Sequence, residues 1–253
     1  MGTRTRMIWV GTSGWQYRDW RGAFYPEDVP QKRWLEAYAE RFVTVESNNA
    51  FYRLPERDTF AEWRDRTPDD FRYAVKMSRF LTHIKRLKEP EEPVARFLDR
   101  AEGLGDKLGP VLLQLPPNLK ADAERLATAL AEFPDRIKVA VEPRHDSWWN
   151  DEIRELLTKH GAALCWADRG SRPVTPLWRT ADFGYVRLHH GRHRPGYGRG
   201  ALSSWVERIA EAYARKHPVY VYFNNDAGAA APADAAAFAR LAKRHDLRVS
   251  RAG

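Results

Sequence analysis

Two glutamates directly follow short apolar runs that are typical of buried β-strands. The run VAV precedes Glu142, and the run VTV precedes Glu46. Burial raises the pKa of a carboxyl group towards values that suit proton transfer near neutral pH. We therefore predict that Glu142 and Glu46 are catalytic acid/base residues. The alternative is that they are structural carboxylates, paired with Arg144 or Arg187.

A lysine stands in the same position after a third apolar run. Lys76 ends the segment FRYAVK, where an ammonium group serves as an electrophile, a Schiff-base amine or a clamp for phosphate. We predict that Lys76 is the third catalytic residue. The alternative is an ion pair with Glu46 or Glu142.

Further polar groups follow the other apolar runs. Arginines grip carboxylates or phosphates through two hydrogen bonds, and amide side chains orient ligand hydroxyls. The basic, Gly-rich run HHGRHRPGYGRG (189–200) suits an anion, with a solvated loop as the alternative. The predicted ligand-binding residues are Asn48, Tyr52, His83, Gln114, Arg144, Asp168, Arg187, His189, Arg192, Asn224 and Asn225.

The elements that must position these residues alternate along the chain. Most of the apolar runs are followed by segments with apolar residues three and four apart, as in amphipathic helices. Eight parallel strands in βα alternation predict an α/β fold, a single (β/α)8 TIM-barrel-like domain over residues 1–253 with its core at about 7–247. The strand candidates are 7–11, 43–47, 71–76, 111–115, 138–142, 163–168, 185–189 and 219–223.

The composition narrows the classes of function. The 253-residue chain carries a formal charge of +8, from 42 Lys and Arg against 34 Asp and Glu, which favours anionic partners. A single cysteine, Cys165, excludes an intramolecular disulfide. The sequence contains no apolar run long enough to span a membrane and no signal peptide, so we expect a cytoplasmic protein without a membrane partner. Its oligomeric state is not predicted.

The carboxylates also raise the question of a metal. Glu46, Glu142 and Asp168, with His145 and His189, could form a carboxylate-rich ligand set. However, the sequence has no H-E-x-x-H or H-x-H motif, and Arg and Lys close to the carboxylates compete for them. We expect no cofactor and no metal ligand, with a divalent metal as the alternative.

Seven long motifs, in order, resemble the DUF72 family, also called YecE-like proteins. The resemblance implies a TIM-barrel-like fold but no assigned reaction, and it covers nearly the whole chain. Two positions depart from the family pattern, which more often has Thr at Ala50 and an aromatic residue at Pro143. The motifs are GTSGWQYRDWRGAFYP (11–26), VESNNAFYRLP (45–55), FRYAVKMSRFLTHIKRL (71–87), LGPVLLQLPPNL (108–119), VAVEPRHDSWW (139–149), YVRLHHGR (185–192) and VYVYFNND (219–226).

Three functions are compatible with these observations. The first is an enzyme, of the isomerase, lyase or hydrolase type, that acts on an anionic, polyhydroxylated, sugar-phosphate-like molecule by carboxylate acid/base chemistry. The second is a metal-dependent phosphodiesterase that binds nucleic acid through its positive charge and its aromatic residues. The third is a binding protein without catalysis.

Overall fold

The computed structural model describes residues 7–213 and 217–253. Its strands coincide with the eight predicted apolar runs, shifted by a few residues at most at either end, and one two-residue strand is added. The strands are β1 (Ile8–Ser13), β2 (Thr44–Ser47), β3 (Arg72–Lys76), β4 (Leu108–Gln114), β5 (Val139–Glu142), β6 (Ala163–Arg169), β7 (Arg172–Pro173), β8 (Gly184–Leu188) and β9 (Val219–Phe223).

The strands form one sheet in the order β5-β4-β3-β2-β1-β9-β8-β6-β7. An additional pairing between β5 and β6 closes eight parallel strands into a barrel, and β7 pairs antiparallel with β6. Almost every strand residue is buried, which explains why the apolar runs are continuous and do not alternate with polar residues. The predicted α/β TIM-barrel-like fold is confirmed.

Eight helices are described around the barrel. The side chains of Asp122 and Asn150 cap α5 and α6 by accepting hydrogen bonds from the backbone N–H groups of Arg125 and Ile153, both at 3.0 Å. Among the described helices, none combines the length and the apolar character that a membrane span needs. The helices are α1 (Trp34–Arg41), α2 (Asn49–Tyr52), α3 (Arg57–Asp65), α4 (Glu91–Ala101), α5 (Ala123–Ala131), α6 (Asp151–Lys159), α7 (Arg199–Tyr213) and α8 (Ala230–Arg244).

Besides β7, short helical features in the loops after β2 and β3 were not predicted from the sequence. The four-residue helix α2 follows β2 directly, and a π-helical turn, Phe80–Ile84, lies in the loop after β3. Both are shorter than the window over which hydrophobic periodicity can be recognised. π-Helical turns often occur at functional sites, because they redirect side chains out of the regular helical pattern.

The chain groups into two compact units, each discontinuous in sequence. Unit one comprises the described residues of Met1–Glu46, with Trp166–Thr175 and Asp182–Gly253, and unit two comprises Ser47–Cys165 and Pro176–Ala181. Unit one contains β1, β8 and β9 and most of β2. Unit two contains β3, β4 and β5. The prediction of a single domain remains a prediction.

Candidate functional site

Unit two places a lysine and a histidine against one aromatic ring. Lys76, the last residue of β3, is only 8% exposed, and its Nζ lies 3.7 Å from the centroid of the Phe51 ring. The His83 imidazole packs edge-on against the same ring, with centroids 4.9 Å apart and planes at 83°. We call Lys76, Arg79 and Arg144, the three cations whose charges act on the His83 imidazole, the cation cluster.

The pKa of His83 reports the electrostatic character of this cluster. Burial, and to a smaller extent the positive charges of Lys76, Arg79 and Arg144, together lower the pKa of His83 from 6.5 to about 4. The imidazole is therefore neutral at physiological pH, and its Nδ1 hydrogen-bonds the Thr82 hydroxyl at 2.9 Å. The part of this shift that comes from the three cations indicates a positive potential at the imidazole, which favours an anion.

A buried carboxylate stands beside the cation cluster. Glu142, the last residue of β5, is 1% exposed, and its Oε1 accepts hydrogen bonds from Arg144 Nε at 3.3 Å and NH2 at 3.1 Å. Gln114, the last residue of β4, is paired in register with Glu142. The strand ends thus place a carboxylate, an amide and a guanidinium side by side, which could hold and deprotonate a ligand hydroxyl.

A pocket of ≈ 520 Å³ lies over the loop after β2. Its lining includes Asn48, Asn49, Tyr52 and Trp63. Tyr52 is 75% exposed, more than any other exposed large apolar or aromatic side chain of the described residues. Its ring meets Phe51 edge-on, with centroids 5.1 Å apart and planes at 89°. Tyr52 is therefore held against the ring that also contacts Lys76 and His83.

In unit one, Glu46 lies at the centre of a buried network that consists of Ser13, Glu46, Tyr185 and Arg187. Arg187 donates from Nε to Oε2 at 3.0 Å and from NH2 to Oε1 at 2.8 Å. The Tyr185 hydroxyl donates to Oε2 at 2.6 Å, and the Ser13 hydroxyl donates to Oε1. Tyr185 and Arg187 are two residues apart on β8, so both face the same side of the strand. The Arg187 guanidinium thus neutralises Glu46, and four hydrogen bonds in all orient its carboxylate. This arrangement is the one expected if Glu46 is a structural carboxylate paired with Arg187.

Asp168 is held in a comparable way. It accepts hydrogen bonds from the Tyr197 hydroxyl, from Trp205 Nε1 at 3.1 Å and from the backbone N–H of His189 at 3.2 Å. Burial raises the pKa of Asp168, and these hydrogen bonds oppose the rise. Its contacts connect β6 to the loop after β8 and to α7.

The basic loop after β8 borders a pocket of ≈ 480 Å³ whose lining includes His189, Arg192, Asn224 and Asn225. Asn224 Nδ2 lies 3.0 Å from His189 Nδ1. Asn225 Nδ2 donates to Pro195 O at 2.9 Å and to an Asp234 carboxylate oxygen at 2.7 Å, which anchors the loop to α8. Arg192 is exposed at the edge of the pocket.

Asp226 is an ionisable residue of this pocket that was not among the sequence candidates. Its pKa is raised from 3.8 to about 7. Burial is the main cause and the charge of Glu46 adds to it, whereas a hydrogen bond from Tyr17 and the charge of Arg187 act in the opposite direction. Its Oδ1 is buried and has no hydrogen-bond partner among the described residues. The sequence feature that could have identified Asp226 is its position directly after Asn224 and Asn225, at the end of an apolar run.

The structure distributes the predicted site residues between the two units. Their catalytic and binding roles stay predictions. Unit two contains Asn48, Tyr52, Lys76, His83, Gln114, Glu142 and Arg144, and unit one contains Glu46, Asp168, Arg187, His189, Arg192, Asn224 and Asn225. Sequence reasoning missed Arg79, Tyr185 and Asp226.

The possible metal ligands were compared with the arrangement of the described side chains. No group of three or more His, Cys, Asp or Glu side chains there is arranged to hold a metal ion. Glu46 and Glu142 are instead engaged by the guanidinium groups of Arg187 and Arg144. The metal-dependent phosphodiesterase alternative stays a prediction that this geometry does not favour.

The barrel and its sites define an α/β TIM-barrel protein with polar clusters at the carboxyl ends of the strands. Residues 9–252 match the family described as "Protein of unknown function DUF72". The chain belongs to the DUF72 family, as the motifs predicted.

Individual relatives agree with this assignment. The chain is 30% identical over 172 residues to UPF0759 protein YecE of Escherichia coli (strain K12), a match that covers 66% of this chain and 61% of YecE. It is 25% identical over 257 residues to UPF0759 protein YunF of Bacillus subtilis (strain 168), covering 88% of this chain and 90% of YunF. A crystal structure of a DUF72 family protein from Thermotoga maritima MSB8 superposes with a TM-score of 0.84 at 30% identity, covering 94% of this chain and 100% of that chain.

Proposed function

We propose that this DUF72 protein binds an anionic, polyhydroxylated small molecule of the sugar-phosphate type at the cation cluster of unit two, and acts on it by acid/base chemistry at Glu142. One observation carries the proposal. His83 is surrounded by the charges of Lys76, Arg79 and Arg144, which together with burial keep its pKa at about 4. A phosphate group would offset this concentration of positive charge.

The burial of Lys76 strengthens the argument. An ammonium group that is 8% exposed has lost most of its hydration, and the contact with the Phe51 ring offsets part of this loss. Arg144 is more accessible, with 29% of its side chain exposed. The Arg144 guanidinium donates to Glu142 from Nε and NH2 and is still partly accessible to solvent. Its remaining N–H groups suit the bidentate recognition of an anion.

Glu142 would supply the proton transfer. Its Oε1 is fixed by Arg144, which orients the carboxylate next to Gln114. The neutral His83 imidazole would form hydrogen bonds to ligand oxygens without adding charge. A ligand hydroxyl held between Gln114 and Glu142 could then lose its proton to the carboxylate.

Calorimetric titration with inorganic phosphate and with ribose 5-phosphate tests the anion site. We expect Lys76→Met to weaken the binding of both anions by at least about tenfold, roughly the loss of one charge-assisted contact. The matched control is Lys88→Met, because Lys88 is an exposed lysine of the same loop. Equal affinities for the wild type and Lys76→Met, or the absence of any binding by the wild type, would reject the proposal.

Glu142→Gln separates binding from chemistry. The amide keeps the shape and a hydrogen-bond acceptor for Arg144 but cannot take up a proton at neutral pH. We expect this variant to bind ribose 5-phosphate within about threefold of the wild type and to lose turnover of any substrate that the wild type converts. A Glu142→Gln variant with wild-type turnover would exclude Glu142 as the acid/base residue.

A further inference from the structure

We infer that the ligand of unit two carries a planar aromatic ring, which stacks on Tyr52, so that the substrate class is a nucleoside monophosphate or a closely similar aryl sugar phosphate. The inference rests on the proposed function, because the anionic group of the same ligand would lie at the cation cluster. It assigns to Tyr52 a specificity-determining role that neither the fold nor the family description provides.

The exposure of Tyr52 is the first observation. Phe51 is buried, with 9% exposure, whereas the adjacent Tyr52 is 75% exposed. A single exposed aromatic residue is common on protein surfaces and by itself indicates little. Tyr52, however, lines a concave pocket of ≈ 520 Å³, where a flat ligand can cover its ring and exclude water from it.

The distance to the cation cluster is the second observation. The Tyr52 and Phe51 ring centroids are 5.1 Å apart, and the Phe51 centroid is 3.7 Å from Lys76 Nζ, so Tyr52 lies at most about 9 Å from the ammonium group. A molecule with a phosphate on Lys76 and a ring on Tyr52 must therefore be short. One pentose unit between phosphate and base fits this span.

The orientation of the Tyr52 ring is the third observation. The Tyr52 ring meets the buried Phe51 ring edge-on, at 89°, so one edge of Tyr52 packs against the protein while the rest of the ring is open to a ligand. A held aromatic ring loses little conformational entropy when a base stacks on it. The neighbouring Asn49, which is exposed and lines the same pocket, has a side-chain amide of the kind that recognises base edges.

Three probes test the inference by calorimetric titration: adenosine 5′-monophosphate, ribose 5-phosphate and inorganic phosphate. Stacking of a base on an aromatic side chain strengthens binding by roughly 5- to 150-fold. We therefore expect the wild type to bind adenosine 5′-monophosphate at least about tenfold more tightly than ribose 5-phosphate. Tyr52→Ala is expected to abolish this difference and to leave the affinity for ribose 5-phosphate within about twofold.

Two further variants serve as controls. Tyr52→Phe keeps the ring and should keep the preference for the nucleotide. Leu177→Ala removes another exposed apolar side chain of unit two, one that is 39% exposed, and should change nothing. An equal affinity of the wild type for the nucleotide and for ribose 5-phosphate, or a preference that survives Tyr52→Ala, would overturn the inference.

The same titrations distinguish failure of the inference from failure of the proposed function. If Lys76→Met weakens phosphate binding while Tyr52→Ala has no effect on nucleotide preference, the anion site stands and the aromatic subsite is rejected. If the nucleotide preference depends on Tyr52 but phosphate binding is independent of Lys76, the aromatic subsite stands and the anion site is rejected. Salt-dependent binding of single-stranded DNA at far higher affinity than the mononucleotide would also overturn the assignment to a small molecule.

Discussion

At the scale of single residues, His83 is a sensor of the charge that surrounds it. The imidazole lies within the influence of Lys76, Arg79 and Arg144. A bound anion would stabilise the protonated imidazole and so raise the pKa of His83. In the free site, the neighbouring cations destabilise the protonated imidazole and lower the pKa.

NMR titration of the His83 ring should therefore give a midpoint near pH 4 in the free protein, below the ordinary value of 6.5. Saturating phosphate should move the midpoint upwards, and so should Lys76→Met. Between pH 4 and 6.5, the His83 imidazole is protonated in the unfolded chain but neutral in the folded chain. The contribution of His83 to stability therefore increases as the pH rises through this range and is lost as the pH falls. A midpoint near 6.5 in the free protein would contradict the electropositive site.

Asp226 should produce the opposite pH dependence. Its pKa is raised from 3.8 to about 7, so the folded chain holds a proton between these values that the unfolded chain releases, and stability is lost as the pH rises through the window. Asp226→Asn has no such ionisation. The free energy of unfolding, measured with urea, should therefore change in favour of the variant: the difference between Asp226→Asn and the wild type should be more than about 1 kcal/mol larger at pH 8 than at pH 5.

The control for Asp226 is Asp28→Asn, at an exposed carboxylate, which should change stability equally at both pH values. A difference between wild type and Asp226→Asn that is independent of pH would show that Asp226 is ionised throughout.

At the scale of secondary-structure elements, the contact between β1 and β2 depends on a glycine. The register pairs Thr12 with Val45, and a Cβ atom at Gly11 would overlap the backbone carbonyl of Thr44. Backbone cannot move aside as a flexible side chain can, so this position requires the absence of a side chain.

We expect Gly11→Ala to destabilise the protein by about 1–3 kcal/mol or more, through overpacking between the two strands. Gly200→Ala is the matched control, because a Cβ at Gly200 in the first turn of α7 would meet nothing within 4 Å. Alanine favours the helical conformation more than glycine, so the control should be neutral or more stable. Thermal unfolding of both variants tests the difference, and equal melting temperatures would refute the close approach.

At the scale of the whole molecule, the Glu46 network ties together three strands. Ser13 ends β1, Glu46 lies in β2, and Tyr185 and Arg187 lie in β8. Arg187 is 2% exposed and Glu46 is fully buried, so either charge left alone would be costly.

Glu46→Gln should therefore destabilise the fold by about 3–5 kcal/mol, because it leaves the Arg187 guanidinium buried without a counter-charge. Glu102→Gln is the control, since it breaks an ion pair with Arg57 in which both side chains are more than half exposed, and such pairs contribute about 0–1 kcal/mol. Chemical denaturation measures both. A loss in Glu46→Gln as small as in the control would argue that Glu46 is not structural.

The sequence by itself determined the order and type of the main elements. Continuous apolar runs mark strands that are covered on both faces, and the three-and-four spacing between them marks helices, so the (β/α)8 order follows from local patterns alone. The same patterns located the strand ends, and with them Lys76, Gln114 and Glu142. Several short features were missed, among them α2, Phe80–Ile84 and the strand β7, because segments this short have no measurable period.

Only the tertiary structure decided which partner each charged residue takes. Glu46 was predicted as an acid/base residue or as a partner of an arginine, and the strand order β2-β1-β9-β8 brings it to Arg187, 141 positions away. The raised pKa of Asp226 and the lowered pKa of His83 likewise arise from burial and from charges on other strands and loops. Periodicity is a property of neighbouring residues, whereas burial and pairing depend on segments that meet only when the chain has folded.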